Sequence, residues 1–539
     1  MTAAEDQSTP QQKRSSSPSE LQLVVETPFG PIRGADDGLV TSWKGIRYAM
    51  PPVGERRWRA PEPPEPWEEV VDALDFGPVS PQPKSPVVAF GPGTVMDEDC
   101  LTLNVWAPTS HPAADSMPVL VWIHGGAYIF GASSQPLFDA QHLVTRGEAV
   151  VVSVNYRLGA FGFLDLSSLS TDEHHFDSNL AIRDVLLALH WVKDAIAAFG
   201  GDPDRVTLFG ESAGGGIVTT LMTMPAAKGL FARAIAESSP ATSVYGEERA
   251  ATVAQLFLDK ASIDPSEAER LRDISTDQVV EWGFDVYREV PEKFPGTLAY
   301  APIVDGDLIP DHPLTIFRAG LAHPVPLLIG TNKDEAAMFK LMKSPLMPIT
   351  SDTIMAMFGE MAADHPDIEL PSEAQVGSAY GGMRTKVKGL GVARDVGFRM
   401  PAIWLAEGHS RIAPVYLYRF DWATPMLKLL GIGSTHATEL PYVWGNLVSG
   451  PKDITFKLGG MSTGTKISAR MQTRWLAFAT NGTPRAGEGE PEWPRYSIEE
   501  PGPDEVFRAT LVIDKQDRLV SDLDHQLRLA WGDEVLDFS

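Results

Sequence analysis

The stretch FGESAGG at residues 209–215 decides the fold of this chain. It contains the pattern G-x-S-x-G around Ser212, with an apolar run at 206–209 before it and a helix-compatible stretch at 217–224 after it. A sharp turn from a buried strand into a helix exposes a serine oxygen, and the crowded backbone there tolerates only small neighbours. We therefore predict that Ser212 is a nucleophile, the alternative being a plain glycine turn.

Outward from this turn, the chain alternates between apolar runs and segments with helical spacing. Short runs that are apolar throughout, separated by helices, predict a central, mostly parallel sheet flanked by helices on both faces, an α/β fold. Shorter β-like runs at 21–26, 31–33 and 40–43 come first. The predicted buried strands are 119–123, 149–154, 206–209, 326–330, 415–420 and 509–513, and the predicted long helices are 179–199 and 466–480.

The composition excludes several classes of protein. The chain has 539 residues, of which 43% are hydrophobic and 22% charged, as is typical of a globular protein. Its formal net charge of −26 argues against nucleic-acid binding and against adhesion to anionic membranes. The single cysteine, Cys100, excludes an intramolecular disulfide and a cysteine-rich zinc site.

Targeting signals and domain boundaries are read from the composition along the chain. Residues 1–20 lack an apolar core and are rich in Ser, Pro and Gln, which predicts a disordered tail rather than a signal peptide. No apolar stretch of about 18 residues is present, so we expect a cytoplasmic protein that spans no membrane. Residues 21–539 are predicted to form one domain, with helical insertions at about 245–300 and 338–412 over the C-terminal edge of the sheet.

The stretch HGGA at residues 124–127 directly follows the predicted strand 119–123. A serine nucleophile needs donors for the oxyanion that forms during attack, and small residues let backbone N–H groups approach the reacting carbonyl. We interpret this stretch as the donor loop, the alternative being an ordinary turn between a strand and a helix. His124 itself is expected to brace the loop.

Several further blocks carry a resemblance to a known family. With FGESAGG, the blocks GIRYA at 45–49, EDCL at 98–101, NYR at 155–157 and FGGDP at 199–203 occur in family order. Together they resemble the type-B carboxylesterase family, which includes cholinesterases, mammalian carboxylesterases and bacterial para-nitrobenzyl esterases. The likeness extends from about residue 24 to 531 and implies the α/β-hydrolase fold. The HGGA form of the donor loop is most similar to that of the bacterial members.

The resemblance implies two partners for Ser212. The block GTNKDE at 330–335 is similar to the family's acid block and implies Glu335 as the catalytic acid, although Asp334 is a rival and a helix N-cap is an alternative role. The block GSTHATEL at 433–440 implies His436 as the base. His436 would accept the serine proton and return it to the leaving alcohol, while Glu335 would orient the imidazole.

The resemblance also implies supporting residues. The oxyanion donors would be the N–H groups of Gly126, Ala127 and Ala213. Three residues match positions near the histidine, where a buried acid can equally be part of a structural pair: Glu211, Ser238 and Glu439. Two structural ion pairs are implied as well, Arg57 with Glu98 and Arg157 with Asp184.

The sequence departs from the family at its lid. Eukaryotic members close a loop with a disulfide that ends at the position of Cys100, and no second cysteine exists here. The loop at about 81–95 is either a mobile apolar flap over the site or a packed surface loop. Methionines are concentrated nearby in sequence and form either a pocket wall or core: Met338, Met342, Met347, Met355, Met357 and Met361.

The predicted function is that of a serine carboxylesterase, which hydrolyses uncharged, fairly apolar esters through an acyl-enzyme. Alternatives are an amide or carbamate hydrolase on the same triad, a lipase acting at an interface, and a non-catalytic binding protein of this fold. We predict no cofactor and no metal, and interpret the acidic and histidine run at 172–175 as a solvated loop. The expected partner is a small-molecule ester, and the oligomeric state is left open.

Overall fold

The structure is a computed structural model of the 539-residue chain. The predicted tail at 1–20 lies outside the residues that it describes. Those residues are 22–85, 88–109, 116–342, 344, 346–348, 350–364, 380, 385–448, 453–485, 487–499 and 506–532.

The strands form one sheet. Across it they follow the order β1-β2-β3-β5-β7-β6-β8-β9-β10-β11-β12-β13, and β4 pairs with β2 beside this path. Their bounds are β1 Gln22–Thr27, β2 Gly30–Asp36, β3 Val40–Arg47, β4 Val71–Asp72, β5 Thr102–Pro108, β6 Met117–Ile123, β7 Val150–Val154, β8 Gly201–Glu211, β9 Arg233–Glu237, β10 Leu327–Asn332, β11 Val415–Phe420, β12 Ala509–Ile513 and β13 Arg518–Ser521.

The helices lie between the strands in the chain. Within the described residues, no helix has the length and apolar character of a membrane span. The helix bounds are α1 Gln141–Gly147, α2 Gly159–Gly162, α3 Leu180–Ala195, α4 Ala213–Leu221, α5 Glu247–Ala261, α6 Thr276–Lys293, α7 Pro313–Arg318, α8 Ala337–Leu341, α9 Ser351–Asp364, α10 Thr385–Arg394, α11 Met400–His409, α12 Pro425–Leu429, α13 Leu440–Trp444, α14 Met461–Asn481 and α15 His525–Trp531.

Shorter helical turns complete the inventory. One of them, a π-helical turn at Asp395–Arg399, joins α10 to α11 and is called the π-turn below. The 3₁₀ turns are Gly54–Arg56, Pro136–Phe138, Ser167–Leu169, Ile196–Phe199, Pro225–Ala227 and Pro265–Asp273.

The centre of the sheet is parallel, as predicted. From β7 through β6, β8, β9, β10 and β11 to β12, every neighbouring pair runs in the same direction. The first strands differ from this pattern, because β1, β2, β3, β5 and β7 pair antiparallel, and β13 is antiparallel to β12. Short links connect β1 to β2 and β2 to β3, and such links allow only antiparallel neighbours.

The predicted strand bounds agree best where the whole strand is buried. The predictions 415–420 and 509–513 coincide with β11 and β12. Strand β8 instead begins at Gly201, five residues before the predicted start at Val206. Its first part contains polar, partly exposed side chains, so hydrophobicity alone did not reveal it.

Both predicted ion pairs are confirmed. The Arg157 guanidinium donates to both oxygens of Asp184, at 2.7 and 2.8 Å, and both side chains are buried. Arg57 donates to Glu98 at 2.8 Å and also to the carbonyl of Ile274 at 2.6 Å. This second pair therefore ties the N-terminal part of the chain to the segment that precedes α6.

The loop at 81–95 is closed at its neck by main-chain hydrogen bonds. Val79 N–H donates to the Val95 carbonyl at 2.9 Å, and Asp97 N–H donates to the Val79 carbonyl at 3.0 Å. At the start of the loop, Gln82 accepts from Gly131 N–H and donates to its carbonyl, both at 2.8 Å. Residues 86 and 87 lie outside the described part, and the mobility of the flap stays a prediction.

The buried pair gives a direct stability test. In Asp184→Ala, the Arg157 charge stays buried without its partner, so we expect the free energy of unfolding to fall by about 3–5 kcal/mol. Asp72→Ala is the matched control, because the Arg33–Asp72 pair is exposed and should contribute less than about 1 kcal/mol. Urea unfolding of both variants measures the difference, and equal losses would contradict the prediction.

Candidate active site

The predicted nucleophile lies at a strained turn. Ser212 joins β8 to α4 and has φ 56° and ψ −127°, a conformation that residues with a side chain rarely adopt. Its N–H donates to the Glu237 carbonyl at 2.9 Å, and its carbonyl accepts from Gly216 N–H at 2.8 Å. The turn is thereby held between β9 and the first turn of the helix.

Glycines allow this turn to pack against its neighbours. A Cβ atom at Gly214 would lie 2.1 Å from the Ile123 carbonyl oxygen, and one at Gly210 would lie 2.8 Å from the same oxygen. A Cβ atom at Gly215 would lie 2.8 Å from the Glu237 carbonyl oxygen. The glycines of the motif are therefore required by close main-chain contact with β6 and β9.

The predicted donor loop leaves the end of β6. Gly126, Ala127 and Tyr128 have φ values of 127°, 52° and 61°, and the Gly126 carbonyl accepts from the N–H groups of residues 129 and 130. Among the described residues, the N–H groups of Gly126, Ala127 and Ala213 donate to no other group. All three remain available to a ligand.

His124 fixes the start of this loop through its contacts with Tyr156. Its ring stacks on Tyr156 with the ring centroids 4.5 Å apart, and the Tyr156 hydroxyl donates to the His124 carbonyl at 2.6 Å. Burial lowers the pKa of His124 to about 4, so the ring is neutral at neutral pH. This agrees with the expected bracing role.

Glu335 lies just beyond β10 and its carboxylate is fully buried. One oxygen accepts from the Ser238 hydroxyl and from the Asn332 N–H, both at 2.6 Å, and the other lies 2.7 Å from His436 Nδ1. The rival Asp334 faces elsewhere and accepts from the Ser434 N–H at 3.1 Å. The geometry therefore brings Glu335, and not Asp334, to the imidazole.

His436 lies between two carboxylates. Its Nδ1 faces Glu335, and its Nε2 is 3.2 Å from Glu211 Oε1. Burial alone would lower the pKa of His436, but the charges of Glu211 and Glu335 outweigh burial and raise the pKa above its ordinary value. Within the described residues no hydrogen bond joins His436 to Ser212.

Two phenylalanines contact the imidazole. The ring centroid of Phe398 lies 4.6 Å from that of His436, and the centroid of Phe339 lies 5.3 Å from it. The two phenylalanine rings are stacked on each other at 6.2 Å. They restrict where the imidazole can turn and exclude water from one side of it.

Four buried glutamates share this region: Glu211, Glu237, Glu335 and Glu439. Burial raises the pKa of Glu211 to about 7, although the charge of His436 opposes the shift. Burial raises the pKa of Glu237 to about 8, and that of Glu439 lies well above its usual range because of burial and the other three carboxylates. Glu237 is therefore protonated at neutral pH.

The sequence reasoning missed several residues of this site. Glu237 ends β9 and accepts from Trp475 Nε1–H at 2.7 Å, while Asn332 donates to the predicted residue Glu439 and to the Thr435 carbonyl. The sequence analysis predicted no strand at 233–237, so the place of Glu237 at the end of a strand gave no signal. Phe398 had no sequence signal.

A cavity opens in front of Ser212. It measures about 690 Å³ including its mouth, and Ser212, Ala127 and Ala213 lie in its wall. Most of the remaining lining is apolar and includes Leu298, Phe339, Leu346, Met347, Met357 and Phe398. The cavity wall therefore combines the Ser212 hydroxyl with the free N–H groups of Ala127 and Ala213 at the edge of an apolar space.

Some of the methionines take one of the two roles left open above, and others are exposed. Met347 and Met357 line the cavity. Met361 is buried in the core, whereas Met342 and Met355 are exposed.

Among the described residues, no group of three His, Cys, Asp or Glu side chains is arranged to hold a metal ion.

Comparisons with known proteins follow this geometry. The sequence profile described as the carboxylesterase family matches residues 21–519. The chain is 36% identical to the para-nitrobenzyl esterase of Bacillus subtilis strain 168, over 94% of this chain and 97% of that protein. It is 30% identical to a phenmedipham hydrolase of Pseudarthrobacter oxydans, over 89% and 94%.

Solved structures agree with the sequence comparisons. A thermophilic para-nitrobenzyl esterase superposes with a TM-score of 0.81 at 36% identity, over 94% of this chain and 99% of that chain. A carboxylesterase of Geobacillus stearothermophilus superposes with a TM-score of 0.80 at 35% identity, over 94% and 100%. These likenesses confirm the predicted α/β-hydrolase fold.

The turn itself can be tested by one methyl group. In Gly214→Ala the new Cβ would collide with the Ile123 carbonyl, so we expect a lower unfolding temperature and slower labelling of Ser212 by a fluorophosphonate. Gly359→Ala is the control, because no described atom outside its own helix backbone lies within 4 Å of the added Cβ, and alanine favours a helix over glycine by up to about 1 kcal/mol. Equal behaviour of the two variants would refute the close-contact explanation.

Proposed function

Because the chain belongs to the carboxylesterase family and is a serine hydrolase of carboxylic esters, we propose that Ser212, His436 and Glu335 carry out its reaction. The observation that carries this assignment is the buried contact of 2.7 Å between Glu335 and His436 Nδ1, beside a cavity that contains Ser212. Ser238 supports the assignment, because its hydroxyl orients the same carboxylate.

In the proposed reaction, Ser212 Oγ attacks the ester carbonyl while its proton passes to His436 Nε2. The negative oxygen of the tetrahedral intermediate is bound by the N–H groups of Gly126, Ala127 and Ala213, each removal of such a donor costing about 3 kcal/mol of transition-state stabilisation. When the intermediate collapses, the imidazolium protonates the departing alcohol. Water then attacks the acyl-enzyme by the same route and releases the acid.

The carboxylates near His436 support this proton transfer. Glu335 selects the tautomer in which Nδ1 carries the hydrogen, which leaves Nε2 free to accept the serine proton. The charge of Glu211 stabilises the imidazolium that forms. Glu439 acts through Asn332. It accepts from the Asn332 side-chain amide, and the backbone N–H of Asn332 donates to Glu335.

We propose uncharged, fairly apolar esters as substrates, on the basis of the mainly apolar lining of the cavity. An amide or carbamate hydrolase on the same triad is the second candidate, and the relative named phenmedipham hydrolase favours it. Rates on para-nitrophenyl esters, anilides, phenyl carbamates and phenmedipham, measured at equal concentration, separate the two. A clear preference for an anilide or carbamate would replace the ester proposal.

We propose a bacterial enzyme that works in the cytoplasm. The support is the single cysteine, Cys100, which is buried as a free thiol. With one cysteine the chain forms no intramolecular disulfide and therefore does not depend on an oxidising compartment. Cell fractionation followed by an esterase assay tests the location, and recovery of the enzyme in the periplasm or the medium would contradict it.

The nucleophile assignment has a matched control in the same cavity. In Ser212→Ala, we expect kcat on para-nitrophenyl butyrate to fall by a factor on the order of 10⁴ or more, because the acyl-enzyme cannot form. Ser243→Ala removes a different hydroxyl from the cavity lining and should change the rate only a few-fold. Equal rates for Ser212→Ala and the unaltered enzyme would reject the mechanism.

The role of Glu211 appears in the pH dependence of kcat/KM. Its negative charge favours the imidazolium and raises the pKa of His436, so Glu211→Gln should lower that pKa. The imidazole of His436 then stays neutral to lower pH, so the acidic limb of the kcat/KM profile moves to lower pH. The plateau value of kcat/KM falls, because the imidazolium is less stabilised. Glu237→Gln is the control, because Glu237 is already neutral at pH 7. The acidic limb of the kcat/KM profile of this variant should stay where it is in the unaltered enzyme.

A further inference from the structure

The π-turn at Asp395–Arg399 presents consecutive residues to the cavity. Val396, Gly397 and Phe398 all line it, although three successive residues of a regular α-helix point in different directions. A π-helical turn widens the helix locally, and such turns are frequent at functional sites. The irregularity therefore builds part of the cavity wall.

Both ends of the π-turn are fixed by buried charges. Asp395 accepts from Arg394 at 2.6 and 2.8 Å and from the Tyr380 hydroxyl. Arg399 donates to the Asn332 carbonyl at 2.8 Å and to the Thr331 hydroxyl at 3.0 Å. The turn is thereby anchored to the end of β10, from which Glu335 follows.

Within this fixed turn, Gly397 leaves a space that Met347 fills. A Cβ atom at Gly397 would lie 3.0 Å from Met347 Cε and 3.5 Å from its Sδ, and among the described residues no other atom outside the turn itself would come within 4 Å. The neighbour that the added atom meets in the described part of the chain is thus the flexible end of a methionine side chain, which can change rotamer at low cost. On the other side of the turn, Phe398 packs on His436 and cannot move without disturbing it.

We propose that the contact between Met347 and Gly397 sets the length of the apolar arm that the ester cavity accepts. The inference rests on the proposed function and deepens it, because it assigns selectivity to one adjustable part of the wall. A larger side chain at position 397 pushes Met347 into the cavity and shortens the accepted arm. A shorter side chain at position 347 lengthens the cavity.

The test is a chain-length series on four variants. The variants are Gly397→Ala, Gly397→Val, Met347→Ala and the double variant Met347→Ala with Gly397→Val. One series varies the acyl arm, from para-nitrophenyl acetate to decanoate, and the other varies the alcohol arm, from methyl to octyl acetate. Both arms are needed because the arm that reaches Met347 is either the acyl or the alcohol part. The quantity compared is the ratio of kcat/KM for long esters to that for acetate or methyl esters.

In one of the two series, we expect Gly397→Val to lower this ratio at least about tenfold, since each buried methylene contributes about fourfold. Gly397→Ala should lower it less, and Met347→Ala should raise it. The double variant should return towards the unaltered enzyme, because the valine then occupies the space that the methionine vacated. This reversal is a signature that general damage to the fold does not produce.

Two controls separate the wall from general effects. Gly359→Ala adds a methyl group in open space, and Met361→Ala removes a methionine that is buried in the core and does not line the cavity. Neither should change the ratio, although Met361→Ala should lower the unfolding temperature. If Gly397→Val fails to fold, Gly397→Ala and Met347→Ala still carry the comparison.

The outcomes divide cleanly. Ratios within twofold of the unaltered enzyme in both series, with short esters still hydrolysed, would overturn the proposed wall. The proposal would also be overturned if the change in this ratio in the double variant equalled the product of the changes in the two single variants. Activity that survives Ser212→Ala would instead reject the proposed catalytic role, whatever the ratios show.

Discussion

Close main-chain contact at the carboxyl ends of β6, β8 and β9 is the constraint on which the site depends. Because glycine hydrogens are all that separates the first turn of α4 from its neighbours, the sheet itself sets the position of Ser212. The donor loop continues β6 and Ser238 continues β9, so the same strand ends also supply the neighbouring groups. Ligands in open α/β sheets bind at this edge for the same reason, since successive parallel strands all end there.

The charges around the two buried histidines set their pKa values in opposite directions. His124 and His436 are equally removed from water, yet burial lowers the pKa of His124 while that of His436 is raised. The difference lies in the neighbours, because His436 faces two carboxylates and His124 faces backbone and an aromatic ring. The same burial therefore keeps His124 neutral at neutral pH, whereas the two carboxylates strengthen the binding of a proton by His436.

Much of the fold and the motif residues could be predicted, because their signals are local. An apolar run such as β11 or β12 marks a buried strand, and a glycine motif between strand and helix marks a turn. The antiparallel edge and the polar start of β8 carry no such pattern. Phe398 reaches His436 only through the π-turn, and an irregularity of one helical turn leaves no periodic trace in a sequence. Glu237 and Asn332 gain their importance from tertiary contacts alone.

The neck of the loop at 81–95 has a consequence for redox chemistry. Main-chain hydrogen bonds between Val79, Val95 and Asp97 close this loop, and a chain with one cysteine has no intramolecular disulfide to close it. Burial raises the pKa of Cys100 far above its ordinary value, so the thiol does not ionise to the reactive thiolate. Loop closure therefore requires no oxidant while the chain folds and no protection from reductants afterwards, and thiol-containing buffers leave this part of the enzyme chemically unchanged.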